Sequence, residues 1–514
     1  MNLSDLQEQR RQKVDELRAL AINPYPTRAQ RTHTTAEAKA LFADHEAHPD
    51  EVPEADLTVS VAGRVVGRRH MGKTVFAHVR DGHGEIQLYL RRDAIGDEAF
   101  ERFLRLIDLG DWIDASGSLF RTKTGEVSVR VNRYDILSKA LNAPPEKWHG
   151  LQDVELRFRQ RYADLIANEE VRRIFRIRAR IITALRHFLD ARGYLEVETP
   201  ILQPLYGGAA AEPFTTHHNA LDQTFYLRIA DELYLKRLIV GGYERVYEIA
   251  KDFRNEGIDR VHSPEFTMLE FYEAFADYQS MMETTEEMLI EVAQAALGST
   301  SFTYQGHEID LAHPRPWPRI TLRDAIKNAA GIDYTEYPNA EDLLRAARAA
   351  GADIDSGTVW PRIIDELLKQ FVRPTLIQPT FLIDYPVQLS PLAKRKPSDP
   401  THVERFQLYM GGGEFANAFT ELNDPLDQLE RFLDQQHDRA AGDRDAMPID
   451  EDFINALMYG MPPTGGIGIG IDRLTMLFTD QSNIREVILF PAMRNLPADT
   501  FSCESPDEAE TEKK

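Results

Sequence analysis

Short runs that alternate hydrophobic and polar residues fill the first third of the chain. Between residues 59 and 137, five such runs, VSVAGRVV, TVFAHV, EIQLYL, WIDASGSLF and EVSVRV, are separated by turns that contain glycine or aspartate. A helical stretch at Phe100–Gly110 interrupts them. Five strands with one helix predict a small OB-fold β-barrel, and a generic small β-domain is the alternative.

A different periodicity precedes the barrel and follows it. Leucine and valine recur near helical spacing over residues 3–20, which predicts an amphipathic helix that Asn23-Pro24 ends. After Pro144-Pro145, residues 156–192 are strongly helical. The segment Ile484–Phe490 is a strand candidate.

The segment 230–272 combines both patterns. A helix-like run ends at Gly241-Gly242, a β-rich run covers Tyr243–Phe253, and a polar loop leads to Pro264. A second β-rich run, Phe266–Tyr272, follows the loop. This order predicts helix, strand, loop and strand.

These patterns predict an α+β chain with two folded domains. An N-terminal helix and the barrel would occupy residues 1–140, and a linker residues 141–155. A larger domain would cover 156–497, with a helix-rich insertion at about 277–375. The polar, acidic residues 498–514 are expected to be disordered.

Composition and charge mainly exclude certain kinds of protein and certain structural features. The 514 residues are 42% hydrophobic and contain no apolar run of about 18 residues, so no membrane span is predicted. The charged N-terminus lacks an apolar signal core, which indicates the cytoplasm. The lone Cys503 excludes an internal disulfide. Because the net charge is −23, a polyanion such as tRNA would need local basic patches.

Candidate chemistry is concentrated in the strand–loop–strand segment. Arg254 ends the first strand, Glu256 and His262 lie in the loop, and Phe266 begins the return strand. A guanidinium pairs with phosphate and an aromatic ring stacks on a base, so this order suits a nucleotide. A solvated hairpin is the alternative.

A second dense stretch is FQLYMGGGEFANAFTELN, at residues 406–423. On a strand, Asn417, Phe419 and Glu421 would share one face. A carboxylate beside an aromatic ring is what an ammonium group needs, as an ion pair with cation–π support. The pattern therefore predicts a subsite for a cationic ligand.

One nucleotide-binding pattern is interpreted as accidental. GRRHMGKT, at residues 67–74, fits the P-loop spacing, but the alternating residues after it predict a strand rather than the required helix. We interpret this stretch as a basic hairpin that lies against a nucleic-acid backbone.

Three segments in order resemble the signature motifs of class II aminoacyl-tRNA synthetases. They are GYLEVETP at 193–200, FRNEG with HSPEFT at 253–267, and GIGIDRL at 468–474. Within that class, the chain resembles the bacterial lysyl-tRNA synthetases over about residues 1–496. The resemblance implies a catalytic domain on an antiparallel sheet flanked by helices, a homodimer formed through the first motif, and ligation of lysine to tRNA(Lys) with ATP.

The resemblance also implies which residues would bind ATP and catalyse its reaction. Arg254 would hold the α-phosphate and the lysine carboxylate. Glu256 would bind the adenine amino group or the ribose, and His262 would approach the γ-phosphate. Phe266 and Arg473 would cover opposite faces of the adenine ring. Arg254, Glu256 and Arg473 would be the catalytic set.

The same resemblance implies a lysine pocket and a Mg²⁺ site. Lysine would contact Gly208, Glu232, Arg254, Glu270, Tyr272, Asn417, Phe419 and Glu421. Glu421 would be the main ammonium partner, and a pairing of Glu270 with a nearby arginine is the alternative. Mg²⁺ would bridge the ATP phosphates, held by Glu414 and Gln407.

Two positions depart from the family pattern. The family usually has glutamate where this chain has Gln407, so Mg²⁺ binding is expected to be weaker. The position of Glu212 is usually basic. The two departures leave open a class II paralogue with altered activity, either one that attaches lysine to a protein or an RNA-binding regulator.

In the barrel, the resemblance implies an anticodon-binding surface. Phe76 and Gln87 fall on consecutive strands, where an aromatic ring can stack a base and an amide can bind its edge. Glu126 matches another base-reading position, and Arg68 would lie against the backbone. The alternative for Phe76 is a place in the barrel core.

Overall fold

The computed structural model describes residues 3–145, 151, 153–440 and 448–495. The chain divides into two compact units, one before residue 153 and one that covers Asp153–Arg494. The predicted linker lies partly outside the described residues, and the predicted tail at 498–514 lies wholly outside them. The predicted domain boundaries therefore stay predictions.

The first unit is a barrel with helices around it. Its elements are α1 Asp5–Ala19, α2 Thr35–Ala47, β1 Thr58–Met71, β2 Thr74–Arg80, β3 Glu85–Arg91, α3 Arg92–Ile95, α4 Asp97–Leu106, β4 Trp112–Arg121 and β5 Val127–Ser138. The strands close in the order β1-β2-β3-β5-β4, which confirms the OB-fold barrel. Strand β2 begins at Thr74, the last residue of the GRRHMGKT stretch, so no helix is available for a P-loop.

The second unit contains the remaining elements. They are α5 Val154–Arg159, α6 Arg161–Ala167, α7 Glu169–Ala191, β6 Leu195–Glu196, β7 Leu202–Gln203, β8 Thr215–His218, β9 Gln223–Leu227, α8 Glu232–Val240, β10 Arg245–Phe253, β11 Glu265–Ala274, α9 Tyr278–Leu297, β12 Ser301–Tyr304, β13 His307–Asp310, β14 Arg319–Thr321, α10 Leu322–Ala330, α11 Ala340–Ala349, α12 Trp360–Leu367, β15 Thr380–Pro386, β16 Arg395–Lys396, β17 Asp399–Met410, β18 Gly413–Thr420, α13 Pro425–Ala440, α14 Glu451–Met458, β19 Thr464–Gly470 and α15 Ile471–Phe478. The predicted order of helix, strand, loop and strand is confirmed as α8, β10 and β11.

A nine-stranded sheet organises this unit. Its strands run in the order β14-β15-β17-β18-β19-β11-β10-β6, and β16 pairs with β17 at the side of this path. Most neighbours are antiparallel, while β14–β15 and β10–β6 are parallel. The predicted α+β class is thereby confirmed.

Two hydrophobic layers cover the sheet. One contains α7, α9 and α15, with Leu185, Leu289, Leu474, Phe271 and Ile469. The other contains α8, α12 and α14, with Leu235, Ile364, Phe453, Tyr272 and Tyr409. Because side chains alternate along a strand, Phe271 and Tyr272 of β11 belong to opposite layers, and Glu270 faces the same side as Tyr272.

The predicted strand at Ile484–Phe490 is wrong. Residues Ile484–Glu486 form a 3-10 turn, and the side chains of Ile484 and Val487 are buried. The carbonyl groups of this stretch accept hydrogen bonds at 2.9 and 3.1 Å from the buried Arg161 guanidinium. The Arg161 side chain thus donates to backbone carbonyl groups that, in a strand, would accept hydrogen bonds from a neighbouring strand.

None of the helices among the described residues combines the length and the apolar character that crossing a bilayer requires.

Candidate active site

Polar side chains converge on a cavity of about 1020 Å³ in the second unit. All fourteen residues that the sequence analysis assigned to ATP, lysine or Mg²⁺ line it: Gly208, Glu232, Arg254, Glu256, His262, Phe266, Glu270, Tyr272, Gln407, Glu414, Asn417, Phe419, Glu421 and Arg473. Arg254 and Glu421, which are far apart in the sequence, therefore share one cavity.

Arg254 lies at the end of β10, where the loop to β11 begins. Its guanidinium carbon is 5.0 Å from the centroid of the Phe266 ring, and its backbone N–H donates to the Pro264 carbonyl at 2.9 Å. The side chain also donates to the Ile229 carbonyl at 3.4 Å. These contacts fix the cation over an aromatic surface.

Arg473 lies in the first turn of α15 and meets the loop. Its guanidinium donates to the Glu414 carbonyl oxygen at 3.2 Å and lies 3.4 Å from Nε2 of His262. The other ring nitrogen of His262 is 2.7 Å from Asp259. Glu256 is exposed in the same loop. Two guanidinium groups and an imidazole thus surround one part of the cavity, as an anionic ligand requires.

Asp472, which was not predicted from the sequence, holds together the elements at the Arg473 side of the cavity. It is buried, one of its oxygens accepts a hydrogen bond from Arg178 at 2.6 Å, and the other accepts from the Thr267 backbone N–H at 2.7 Å. The aspartate therefore ties α15 to α7 and β11. Its neighbour Arg473 takes its position from this anchor.

The opposite part of the cavity contains buried carboxyl groups. Glu232, Glu270 and Glu421 are each less than a tenth exposed. Burial, with Glu232 and Asp252 nearby, raises the pKa of Glu270 to about 8. Burial also raises the pKa of Glu232 and Glu421, although Lys236 opposes it.

The hydroxyl of Tyr272 donates to Glu270 at 3.0 Å. No arginine forms an ion pair with Glu270 within the described parts of the chain. The alternative role for Glu270, a structural pair with an arginine, is therefore wrong.

Lys236 is the second residue that the sequence analysis missed. It lies one helical turn after Glu232 on α8 and is completely buried. Its ammonium group is 2.6 Å from Glu232, forms an ion pair with Glu421, and lies 5.2 Å from the centroid of the Phe419 ring. The subsite predicted for a cationic ligand thus already contacts a cation of the chain.

Two glycines allow the cavity walls to approach closely. Gly208 has φ of +87°, and a Cβ atom there would lie 3.2 Å from Cβ of Glu232. A Cβ atom at Gly466 would lie 2.1 Å from Glu421 Oε1 and 2.4 Å from the Tyr272 ring. A side chain at Gly466 would clash, and one at Gly208 would be tight against Glu232 and strained by the positive φ.

The residues predicted to hold Mg²⁺ differ in their surroundings. The amide oxygen of Gln407 accepts hydrogen bonds from the hydroxyl groups of Tyr385 and Tyr409, at 2.7 and 2.8 Å. Glu414 faces a carboxylate that the sequence analysis missed, Asp365 of α12. Enclosure by the cavity walls and the charge of Glu414 raise the pKa of Asp365, while its side chain stays open to solvent in the cavity.

Comparison with known families decides what kind of site this is. A model described as tRNA synthetases class II (D, K and N) matches residues 153–494. The chain belongs to this class II family. A model described as an OB-fold nucleic acid binding domain matches residues 59–137 of this class II chain, which corresponds to the barrel.

Relatives of this class II chain match it over almost its whole length. A lysine–tRNA ligase of Chloroflexus aurantiacus is 58% identical over 96% of this chain and 99% of the relative. Lysine–tRNA ligases of Pelotomaculum thermopropionicum and Staphylococcus haemolyticus are 54% and 49% identical, over 96% of this chain and 96% and 99% of their own lengths.

The barrel of the class II chain brings together three of the four residues predicted to bind an anticodon. Gln87 donates to the Glu126 carboxylate at 2.7 Å, and Phe76 packs on Tyr89 with ring centroids 5.1 Å apart. Phe76 is half-buried on the outer face of β2, so the barrel-core alternative is wrong. Arg68 donates instead to carbonyl groups near the end of α4.

Proposed function

We propose that this protein is a lysine–tRNA ligase. It would join the lysine carboxylate to the α-phosphate of ATP with release of diphosphate, and then transfer the lysyl group to the 3′ end of tRNA with release of AMP. The observation that carries the proposal is the shared cavity, with Arg254 and Arg473 in one part and the buried carboxyl groups of Glu232, Glu270 and Glu421 in another. The names of the relatives support the same activity.

The first step needs positioning and charge neutralisation rather than a nucleophilic side chain. The lysine carboxylate is itself the nucleophile, and two anions must approach each other. Arg254 would bind both the carboxylate and the α-phosphate and reduce their repulsion. Arg473, fixed by Asp472, would neutralise charge that develops on the phosphates. Phe266 would support the adenine ring by stacking.

Lysine recognition would follow from the buried carboxyl groups. Glu421 would accept the ε-ammonium group beside Phe419, and Glu232 with Gly208 would accept the α-ammonium group. Asn417 and Tyr272 would line the pocket between them. A leucine or methionine side chain would leave a buried carboxylate without a partner, so the site would reject such substrates strongly.

The chain's own carboxylates fit a Mg²⁺ ion beside the phosphates. Glu414 and Asp365 would hold it, because carboxylate oxygens are the ligands that Mg²⁺ prefers. Both hydrogen bonds that the Gln407 amide oxygen can readily accept are taken by tyrosine hydroxyls, so Gln407 fits this role less well. When bound, Mg²⁺ would draw charge from the phosphate oxygens.

Two further features belong to the proposal. The outer face of the barrel, with Phe76, Gln87 and Glu126, would bind the anticodon of tRNA(Lys). The edge strand β6 exposes Leu195 at 46%, and this surface would pair with a second copy to form the homodimer. The cytoplasmic location stays a prediction.

Exchange of label between diphosphate and ATP, measured with each of the twenty amino acids, tests the proposal. Lysine should support exchange, and the other amino acids should not. A charging assay with tRNA(Lys) should then show lysyl-tRNA. Exchange without charging would favour a paralogue that acts on another acceptor, and the absence of exchange with lysine would refute the proposed function.

A further inference from the structure

Lys236 is an unusual component of a pocket built for a cationic ligand. Its ammonium group is completely buried and touches two of the three carboxyl groups at that end, Glu232 at 2.6 Å and Glu421 in an ion pair. Burial alone would lower the pKa of Lys236, but the two carboxylates outweigh it and raise the pKa. The side chain is therefore a permanent cation that contacts two carboxyl groups of the cavity wall without lining the cavity itself.

The contacts of Glu421 leave one of its oxygens for a ligand. Neither oxygen of Glu421 has a hydrogen-bond partner among the residues that the structure describes, but Oε2 forms the ion pair with Lys236 and the buried Oε1 forms none. Oε1 lies beside Gly466, on the side of the cavity. A buried acceptor without a partner is costly, so this atom is poised to receive a hydrogen-bond donor.

We propose that Lys236 is a positioning and specificity residue that sets the charge of the lysine pocket. This inference rests on the proposed function. The wall of the pocket has three carboxyl groups, and one fixed ammonium group contacts two of them, which leaves two negative charges when all three are ionised. Lysine carries two ammonium groups, and its carboxylate goes to Arg254. The pocket thus matches a dication and disfavours an amino acid with a neutral side chain.

Other charged groups nearby act on single carboxyl groups of the pocket: the charge of Arg405 lowers the pKa of Glu232, and Asp252 raises the pKa of Glu270. Arg405, the next cation, hydrogen-bonds Asn417 and Ser390 rather than a carboxylate. Arg228 lies 2.6 Å from Glu248 and 3.3 Å from Asp252, and burial with Glu270 nearby keeps the pKa of Asp231 well above its usual range. Lys236 also holds Glu232 and Glu421 at a fixed separation, as recognition of two ammonium groups requires.

The test compares Lys236→Met with Lys236→Arg in lysine-dependent exchange. Lys236→Met should raise the KM for lysine by about 50-fold or more and leave the KM for ATP little changed, because a buried pair loses its partner. Lys236→Arg keeps the charge and should recover part of the affinity. Lys139→Met is the matched control, since Lys139 is equally buried against Asp108 and Asp111, but in the barrel.

Calorimetry in buffers of different ionisation enthalpy adds a readout that a structural role would not move. Without Lys236 an additional carboxyl group should be protonated in the free protein, so lysine binding to Lys236→Met should release about one proton more than in the wild type. An unchanged KM for lysine together with an unchanged proton count would overturn the inference, while lysine-dependent exchange by the wild type would keep the proposed function intact.

If Lys236→Met does not fold, inhibition of the wild-type protein by amines tests the same inference. Pentane-1,5-diamine, a dication, should inhibit lysine-dependent exchange far more strongly than pentylamine, a monocation of the same length. Equal inhibition by the two amines would contradict the charge match. If the wild type shows no lysine-dependent exchange at all, the proposed function is refuted, and the inference about Lys236, which rests on it, is refuted with it.

Discussion

Glu421 and Gly466 lie so close together that a Cβ atom at position 466 would stand 2.1 Å from Oε1 of the glutamate. Gly466→Ala should therefore displace Glu421 and raise the KM for lysine by roughly 100-fold, since a shift of about 1 Å at a binding group has effects of this size. The KM for ATP, measured in the same exchange assay, should change little.

Gly468→Ala provides the comparison for this prediction. It lies on the same strand, β19, but a Cβ atom there would be 3.7 Å from the nearest atom, the Cγ of Glu270, which is an ordinary contact. Its effect on the KM for lysine should be much smaller. Equal effects of the two substitutions would contradict the close packing of Glu421.

The Mg²⁺ site gives a second prediction. Asp365→Asn should raise the Mg²⁺ concentration that gives half-maximal exchange, because Glu414 would be left as the only carboxylate of the proposed pair. Binding of Mn²⁺ in the presence of ATP, followed by electron paramagnetic resonance, should weaken in parallel.

Glu366→Gln is the control for Asp365→Asn, since Glu366 pairs with Lys369 and Gln370 and does not line the cavity. Gln407→Glu should act in the opposite direction and lower the Mg²⁺ requirement by supplying a further carboxylate. If neither Asp365→Asn nor Gln407→Glu changes the titration, the ion is held by other groups.

Many of the residues that line the cavity could be predicted from the sequence, and there is a physical reason why they lie together. Side chains of Asn417, Phe419 and Glu421 alternate along β18 and its end, so strand geometry alone places them on one face. The strand–loop–strand segment likewise placed Arg254 and Phe266 near each other.

The residues that were missed depend on long-range packing. The signal for Lys236 was its position four residues after Glu232, which predicts a local ion pair but not the contact with Glu421 across the cavity. Asp365 stands on α12, in a segment with no motif, and Gly466 depends on the packing of β19 against Tyr272. The strand predicted at Ile484–Phe490 failed because Arg161 bonds its carbonyl groups.

A third prediction concerns pH. The pKa of Glu270 is raised to about 8, so below that pH the group is mostly neutral in the free protein. A bound ammonium group favours the ionised carboxylate, and lysine should therefore bind more tightly as the pH rises from 6 to 8. Binding at pH 7 should release a proton, as calorimetry in two buffers would detect.

Glu270→Gln should remove most of this pH dependence, since the amide does not titrate. It should also reduce the proton release on lysine binding. The opposite trend in the wild type, weaker binding between pH 6 and 8, would show that Glu270 does not face the ligand's ammonium group.

A fourth prediction concerns the anchor of the nucleotide end. Asp472→Ala would leave the Arg178 guanidinium without its carboxylate partner and should lower the free energy of unfolding by about 3 kcal/mol. Since Arg473 takes its position from this anchor, the KM for ATP should rise more than the KM for lysine. Thermal unfolding and exchange kinetics on the same sample would separate the two effects.

We propose that Arg254 and Glu421 hold opposite ends of one lysine molecule in a shared cavity. Exchange kinetics of Glu421→Gln test it most directly. The KM for lysine should rise by orders of magnitude while the KM for ATP stays nearly constant. An equal loss for lysine and ATP, or no change for lysine, would contradict it.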